Sequence, residues 1–176
     1  KFAPNSTYIG LTATASVNVL RDIQTEFQVS NEFVRTPMDF SREELAFHVI
    51  VDKGLKEKKL ITLVSNLNEK WNNSQAIPSK AGIIFTATVN GQKGCYYLSG
   101  RLSEALKMDV RYFSGSKPNN SNYTNEGFDK YKREVQNDFK QNKYSVLTAT
   151  KAFGMGVNKG NVAFTIHAGI PSSMEA

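Results

Sequence analysis

Residues 143–169, KYSVLTATKAFGMGVNKGNVAFTIHAG, place two apolar runs on either side of a long loop. The first run, 143–150, is apolar for most of its length, which is typical of a strand buried on both faces of a parallel sheet. The second run, 161–169, is also predicted to be a strand. The loop between them is longer than a simple turn and begins with Thr150 and Lys151. Loops at strand ends carry ligand-contacting groups in open α/β sheets, so a binding site is expected here.

Strand and helix signals alternate through the chain that precedes this stretch. Strands are predicted at 44–52, 81–88 and 108–113, and the first part of 81–88 is continuously apolar. The helices between the strands carry apolar side chains at helical spacing. These side chains are Leu60, Val64, Leu67 and Trp71 in one helix, Leu98, Leu102 and Leu106 in the next, and Phe128, Tyr131, Val135 and Phe139 in the third. From residue 44 the order β-α-β-α-β-α-β-β predicts an α/β fold, with a mainly parallel sheet and helices on both faces.

The first 40 residues read differently. A buried strand is predicted at 7–14, and a helix capped by Ser16 follows it. Residues 28–43 are polar and are broken by Pro37, which predicts a linker or a domain border. We therefore place a domain border near residue 40 and expect residues 1–40 to lack a core of their own.

Composition narrows the range of partners. The formal net charge is +6, which fits a polyanion such as nucleic acid, although many basic proteins bind none. The single cysteine cannot form an internal disulfide, which favours a reducing compartment, so a cytoplasmic or nuclear location rather than secretion is expected. No apolar run approaches the roughly 18 residues of a membrane span, so no membrane partner is expected.

The chain carries no complete catalytic set. The pattern GxxxxGK[ST] is absent, and the GMG at 154–156 lacks the third glycine of a dinucleotide-binding loop. Cys95 and the two distant histidines, His48 and His167, show no metal-ligand spacing, so no metal site is predicted.

Four predicted strand ends share one chemistry. The segments LTATA (11–15), GIIFTAT (82–88), YFSGS (112–116) and TATKAFGMGVNKGNV (148–162) each end or follow a strand with small or hydroxyl residues. Such ends expose backbone N–H groups and hydroxyls, which grip phosphate without reading a base. For any one of these segments alone, the ordinary preference of Thr and Ser for strands and turns is a sufficient explanation.

Taken together, the four segments resemble the RecQ family of superfamily 2 DNA helicases. LTATA resembles motif III, GIIFTAT resembles motif IV, YFSGS resembles the short element after it, and ATKAFGMGVNKGNVAFTIHAGIPSSME (149–175) resembles motif V with its following strand. The resemblance implies a RecA-like fold, with 1–40 as the tail of the first helicase domain and 44–176 as the second, ending before motif VI. It also implies that Walker A and the DEAH box lie before Lys1 and the arginine finger after Ala176.

The resemblance further implies roles for individual residues. Thr12 and Thr14, in motif III, would couple the nucleotide state to DNA contact. Gly154, Gly156 and Asn158 would face the ATP cleft, with Asn158 near the ribose. The expected DNA-binding residues are Thr88, Ser114, Gly115, Thr150 and Lys151.

Other residues of the motifs are described by the same resemblance. Lys159 would add positive charge near Lys151, Met155 is either a core plug or part of the loop's approach to a nucleotide, and Arg42 matches a linker arginine. Two departures stand out. Val89 replaces the motif IV arginine with about three extra residues following in NGQKGCYY (90–97), and Gly160 stands where proline is usual.

The implied function is part of an ATP-dependent DNA helicase that couples ATP hydrolysis to 3′–5′ translocation and duplex unwinding, in DNA repair and recombination. ATP with Mg²⁺ would be the cofactor of the intact enzyme, and the fragment alone would bind none tightly and be inactive. DNA, as single strands and duplex junctions, would be the partner. An RNA helicase of the same superfamily, or a non-catalytic binding module with this fold, are the alternatives.

Overall fold

The computed structural model describes residues 7, 9–12, 16–36, 43–51, 54, 56–72, 79–119, 121–154 and 157–169. The chain divides into two compact units, Lys1–Ile50 and Val51–Met174. The second unit holds the sheet and the predicted strand-end segments from residue 82 onward.

The second unit contains a four-stranded sheet whose strands are all parallel. The strands are β1 (Ala81–Phe85), β2 (Val110–Phe113), β3 (Val146–Ala149) and β4 (Val162–His167). Their order across the sheet is β2-β3-β1-β4. Phe85 lies level with both Ala149 and His167, and Ala149 lies level with Phe113. The four strands therefore end in one row, and their carboxyl ends form a single edge.

Helices cover this sheet: α2 (Lys56–Asn72), α3 (Cys95–Leu106) and α4 (Asn125–Lys140). Ile83 and Leu147, which pair in register, pack in the cluster that contains Val135 and Phe139 of α4. Their neighbour Ile84 packs in a second cluster with side chains of α2 and α3. Successive residues of one strand thus face different helices, which is why β1 and β3 are buried at successive positions rather than at alternate ones. The predicted α/β architecture is confirmed.

The helix predictions are confirmed, with boundaries set by local chemistry. In α4, the Thr124 hydroxyl accepts a hydrogen bond from the Gly127 N–H at 3.0 Å and so caps the first turn. Helix α3 begins at Cys95, because the residues before it form a tight turn. A Cβ at Gly94 would lie 2.3 Å from the Val89 carbonyl oxygen, so only glycine fits there. In α2, Trp71 stays 37% exposed at the end of the predicted apolar face.

The first unit carries α1 (Val17–Phe27) and a short 3₁₀ helix at Asn31–Phe33. The predicted cap is present, since the Ser16 hydroxyl accepts from the Val19 N–H at 3.3 Å. None of the residues of α1 is buried. Its apolar stripe therefore contributes no core within the part of this unit that the structure describes.

Two predicted strands are absent from the residues that the structure describes. In 7–14, the described residues carry no strand, and Ile9 and Leu11 are 84% and 92% exposed. In 44–52, the described residues are irregular, and Phe47 and Val49 are 85% and 94% exposed. A strand needs a neighbouring strand to complete its hydrogen bonds. Among the described residues, the sheet consists of β1, β2, β3 and β4, and neither of these two segments is paired with it. The alternating apolar residues of 44–52 therefore did not predict strand pairing among the described residues.

Candidate nucleic-acid interface

The row of residues just beyond the four strands forms the candidate site. The Thr150 N–H donates to the Phe113 carbonyl at 3.1 Å, and the Thr86 N–H donates to the Ala149 carbonyl at 2.8 Å. The Ala168 N–H donates to the Phe85 carbonyl at 2.8 Å. These bonds continue the sheet by one residue, so Ser114, Thr150, Thr86 and Ala168 follow one another across the edge. With neighbouring strands about 4.8 Å apart, the row is roughly 14 Å long.

Thr150 and Lys151 lie at the middle of this row. Thr150 has extended backbone geometry and precedes a 3₁₀ helix, Lys151–Phe153. Phe153 is buried and packs edge-on against Phe113 and Phe139, with ring centroids 5.1 and 5.7 Å apart. This anchor fixes the turn, while Lys151 remains exposed. The Thr150 hydroxyl makes no hydrogen bond to any residue that the structure describes, so it is available to a ligand.

Ser114 and Gly115 follow β2 at one end of this row. Ser114 is fully buried, and its hydroxyl donates to the Ser116 carbonyl at 2.7 Å. That hydroxyl shapes the loop after β2 and cannot reach a surface ligand. Gly115 is exposed beside it, and a Cβ there would meet the Ala152 Cβ at an ordinary 3.4 Å. A ligand at this point would contact the backbone of Gly115 rather than the serine side chain.

Thr88 lies on a loop that is held by several hydrogen bonds. The buried Thr86 hydroxyl donates to the Thr88 carbonyl at 2.8 Å, and the Thr88 hydroxyl donates to the Asn90 carbonyl at 3.1 Å. The first N–H groups of α3 are also used, because Cys95 donates to the Thr88 carbonyl at 3.1 Å and Tyr96 to the Val89 carbonyl at 3.2 Å. The loop is therefore preformed, with the Thr88 side chain exposed.

The residues expected at the ATP cleft are only partly described. Gly154 is exposed, and its N–H donates to the Lys151 carbonyl at 3.1 Å, which places it directly after the Thr150 turn. Asn158 is exposed, whereas Gly156 and Met155 lie outside the described residues. Of the coupling pair, Thr12 is exposed in the first unit, and Thr14 and the linker residue Arg42 lie outside the described residues.

Lys159 differs from the expectation that it lies near Lys151. Its ammonium donates to the Asn142 side-chain oxygen at 2.5 Å and lies 4.8 Å from the centre of the Phe139 ring. Asn142 precedes β3, so this contact is at the amino edge of the sheet, opposite Thr150. Partial burial there lowers the pKa of Lys159 below its usual value. The hydrogen bond from Lys159 to Asn142 connects the segment before β4 to the start of β3, and the ammonium does not lie at the candidate site.

Among the described residues, no group of three or more His, Cys, Asp and Glu side chains is placed to hold a metal ion. Cys95 is buried at the start of α3, and burial raises the pKa of its thiol to about 11, so it is a poor nucleophile. In the part of the chain that the structure describes, no helix is both long and apolar enough to span a bilayer.

A parallel α/β unit with hydroxyls, backbone N–H groups and a lysine at the carboxyl edge defines a class of domains that bind phosphate-containing ligands. The comparison with protein families makes this specific. The family described as "Helicase conserved C-terminal domain" matches residues 56–176. The chain belongs to this family.

Individual relatives match nearly the whole chain. ATP-dependent DNA helicase RecQ of Bacillus subtilis is 32% identical over 168 residues, which are 96% of this chain and 24% of the relative. ATP-dependent DNA helicase Q1 of Mus musculus is 30% identical, over 98% of this chain and 23% of the relative. The chain thus spans about a quarter of the length of each of these two relatives. Among solved structures, Mss116p DEAD-box helicase domain 2 bound to an RNA duplex is similar to 68% of this chain, with a TM-score of 0.48, 20% identity and 42% of that chain covered.

Proposed function

We propose that the complete protein is an ATP-dependent DNA helicase of the RecQ type, and that residues 44–176 are most of its second RecA-like domain. The observation that carries the proposal is the Thr150 turn, which presents an unshared hydroxyl and an exposed lysine at the carboxyl edge of a parallel sheet. In this role the turn holds a phosphate of the strand along which the enzyme moves. The family match and the names of the relatives support the assignment.

The chemistry of the edge suits a translocating protein. Hydroxyl and N–H donors bind phosphate oxygens, and phosphate contacts carry no sequence information. A motor must release and rebind its track at every nucleotide, so contacts that ignore the bases are an advantage. Lys151 adds an electrostatic contribution that depends on salt and not on sequence.

ATP would be held between this domain and a preceding one. Bound with Mg²⁺, it supplies the free energy of phosphoryl transfer, which depends mainly on positioning and charge stabilisation. The exposed Gly154 leaves room for close approach of a nucleotide, and the exposed Asn158 amide suits hydrogen bonding to ribose hydroxyls. The Walker lysine pattern is absent from these 176 residues, so the proposal requires it from elsewhere in the complete protein.

The domain assignment rests on how the first residues are packed. We assign 1–40 to the tail of the first RecA-like domain and 44–176 to the second. In support, no described residue before residue 37 is buried. A segment without a core of its own suits the end of a domain whose remainder lies earlier in the protein. A helicase that acts on chromosomal DNA would work in the cytoplasm or the nucleus.

The test is an unwinding and ATPase assay on the complete polypeptide. We expect ATP hydrolysis that single-stranded DNA stimulates more than single-stranded RNA, and unwinding of duplexes with a 3′ tail but not of those with a 5′ tail. Stronger stimulation by RNA would favour the RNA-helicase alternative. Nucleic-acid binding without any hydrolysis would favour the non-catalytic module.

A further inference from the structure

A groove opens at the β4 end of the carboxyl edge. It has a volume of about 190 Å³ and lies between the start of α2, the loop that precedes α3 and the residue after β4. Leu60, Leu98 and Ala168 form its apolar floor, and Lys56 and Lys93 line it from two different elements. Lys93 belongs to the NGQKGCYY segment, whose extra residues the helicase resemblance leaves without a role.

The groove has an excess of positive charge. Its one acidic lining residue, Glu57, is already paired, because its carboxylate accepts a hydrogen bond from the Arg101 guanidinium at 2.9 Å. Within the described part of the chain, neither Lys56 nor Lys93 is paired with a carboxylate. Two unshared ammonium groups beside an apolar floor are complementary to a phosphate that carries a sugar or a base.

The position of Lys93 is held by the structure. The Asn90 side-chain oxygen accepts from the Asn119 N–H at 2.9 Å, and the Gly94 N–H donates to the Gly91 carbonyl at 2.9 Å. Gly91 has a φ of 78°, in the left-handed region that residues with a side chain rarely adopt. Hydrogen bonds on both sides of Lys93 therefore hold the loop and fix the backbone position of this lysine.

The groove continues the row of strand ends that contains Thr150. Ala168, in its floor, is the residue that bonds to Phe85 in that row. Two strand spacings, about 10 Å, separate Ala168 from Thr150 across β1. A nucleic-acid strand held at Thr150 and running toward β4 would reach the groove next.

We propose that Lys56 and Lys93 form a second phosphate contact for the single strand, separate from the Thr150 turn. This inference rests on the proposed function. The extra residues of the NGQKGCYY segment position a cation at the edge where Val89 offers none. The groove would hold the phosphate of one nucleotide, with its sugar or base against Leu60 and Ala168.

The experiment is a salt titration of single-stranded DNA affinity, measured by fluorescence anisotropy on the complete polypeptide. Each phosphate contact by a lysine contributes about 0.7 to the slope of log affinity against log salt on single strands. We expect Lys56→Ala and Lys93→Ala each to lower this slope by about 0.7. The ratio of variant affinity to parent affinity should then be about fivefold lower at 0.1 M salt than at 1 M salt. Lys93→Arg should keep the slope. The matched control is Lys140→Ala, an exposed lysine at the end of α4 near the amino edge, which should leave the slope unchanged.

The possible outcomes separate this inference from the function on which it rests. If the parent protein binds and unwinds DNA while both lysine variants keep the parental slope, the second contact is wrong and the helicase assignment stands. If the parent protein does not bind single strands, the helicase assignment itself fails. Affinity for ATP with Mg²⁺ is measured in parallel. A loss of ATP affinity with an unchanged DNA slope would show that the groove serves a free nucleotide, and this too would overturn the proposal.

Discussion

Removing the Thr150 hydroxyl should weaken DNA binding without weakening the fold. Thr150 occupies the residue before a 3₁₀ helix, a position where a threonine side chain often caps the following turn. Here its side chain makes no such bond. Thr150→Ala therefore should leave the free energy of unfolding within about 0.5 kcal/mol of the parent.

The expected loss in binding follows from the chemistry of the acceptor. A hydrogen bond to a charged group contributes about 1.5–3 kcal/mol, which corresponds to roughly 10- to 150-fold in affinity. Since threonine carries no charge, Thr150→Ala should leave the salt slope unchanged, whereas Lys151→Ala should lower it by about 0.7. Thr150→Ser keeps the hydroxyl and should recover most of the affinity.

Thr124 supplies the matched control. Its hydroxyl caps α4 by accepting from the Gly127 N–H at 3.0 Å, and it lies outside the row of strand ends. Thr124→Ala should lower the free energy of unfolding by about 1 kcal/mol and leave DNA affinity unchanged. The two threonine variants thus predict opposite results in two assays, urea denaturation and fluorescence anisotropy. If Thr150→Ala binds single-stranded DNA as the parent does, Thr150 does not hold the strand.

Three further predictions test the fold and the chemistry of single groups. Phe153→Ala should lower the free energy of unfolding by about 3–5 kcal/mol, because it empties a fully buried site between two aromatic rings, and a urea-denaturation change below 1 kcal/mol would contradict this packing. The Lys143 ammonium lies 2.6 Å from the Asp138 carboxylate and, with Arg111, lowers the pKa of that carboxyl. The contribution of ionised Asp138 to the stability of the fold should therefore be present above about pH 4 and be lost as the pH falls below about 4. Asp138→Asn should remove that part of the acid sensitivity in pH-dependent denaturation, and an unchanged acid transition would count against the ion pair. The Cys95 thiol, with its pKa raised to about 11 by burial, should resist iodoacetamide at pH 8 in the folded protein and react in denaturant; rapid modification of the native state would show that the site is open.

The sheet could be predicted because its signal is local in the sequence. Ile83 and Ile84 are adjacent and both buried, one toward α4 and the other toward α2 and α3. Only a strand covered on both faces needs apolar residues at consecutive positions, so the run itself indicates a parallel sheet. The helix at 125–140 was equally readable, since Phe128, Val135 and Phe139 recur on one face and all are buried.

Strand pairing could not be predicted from the sequence in the same way. The segment with Phe47 and Val49 alternates as a strand should, yet both side chains are exposed and no pairing forms among the described residues. Alternation describes which faces a segment could present, while pairing depends on a second segment distant in the sequence. The same reasoning applies to Ile9 and Leu11.

The segment 150–159 reads as one loop in the sequence, whereas the topology places its two ends at different edges of the sheet. Because β3 and β4 are parallel, the chain between them must leave the carboxyl edge and return to the amino edge before β4 begins. The return spans the length of a strand, about 13 Å for the four residues of β3. The beginning of the segment, from Thr150 to Gly154, therefore lies at the carboxyl edge. Lys159 is close to Lys151 in the sequence but lies at the amino edge of the sheet, where it bonds to Asn142. The two lysines of this loop therefore differ in role: Lys151 is at the candidate site, and Lys159 makes a structural contact.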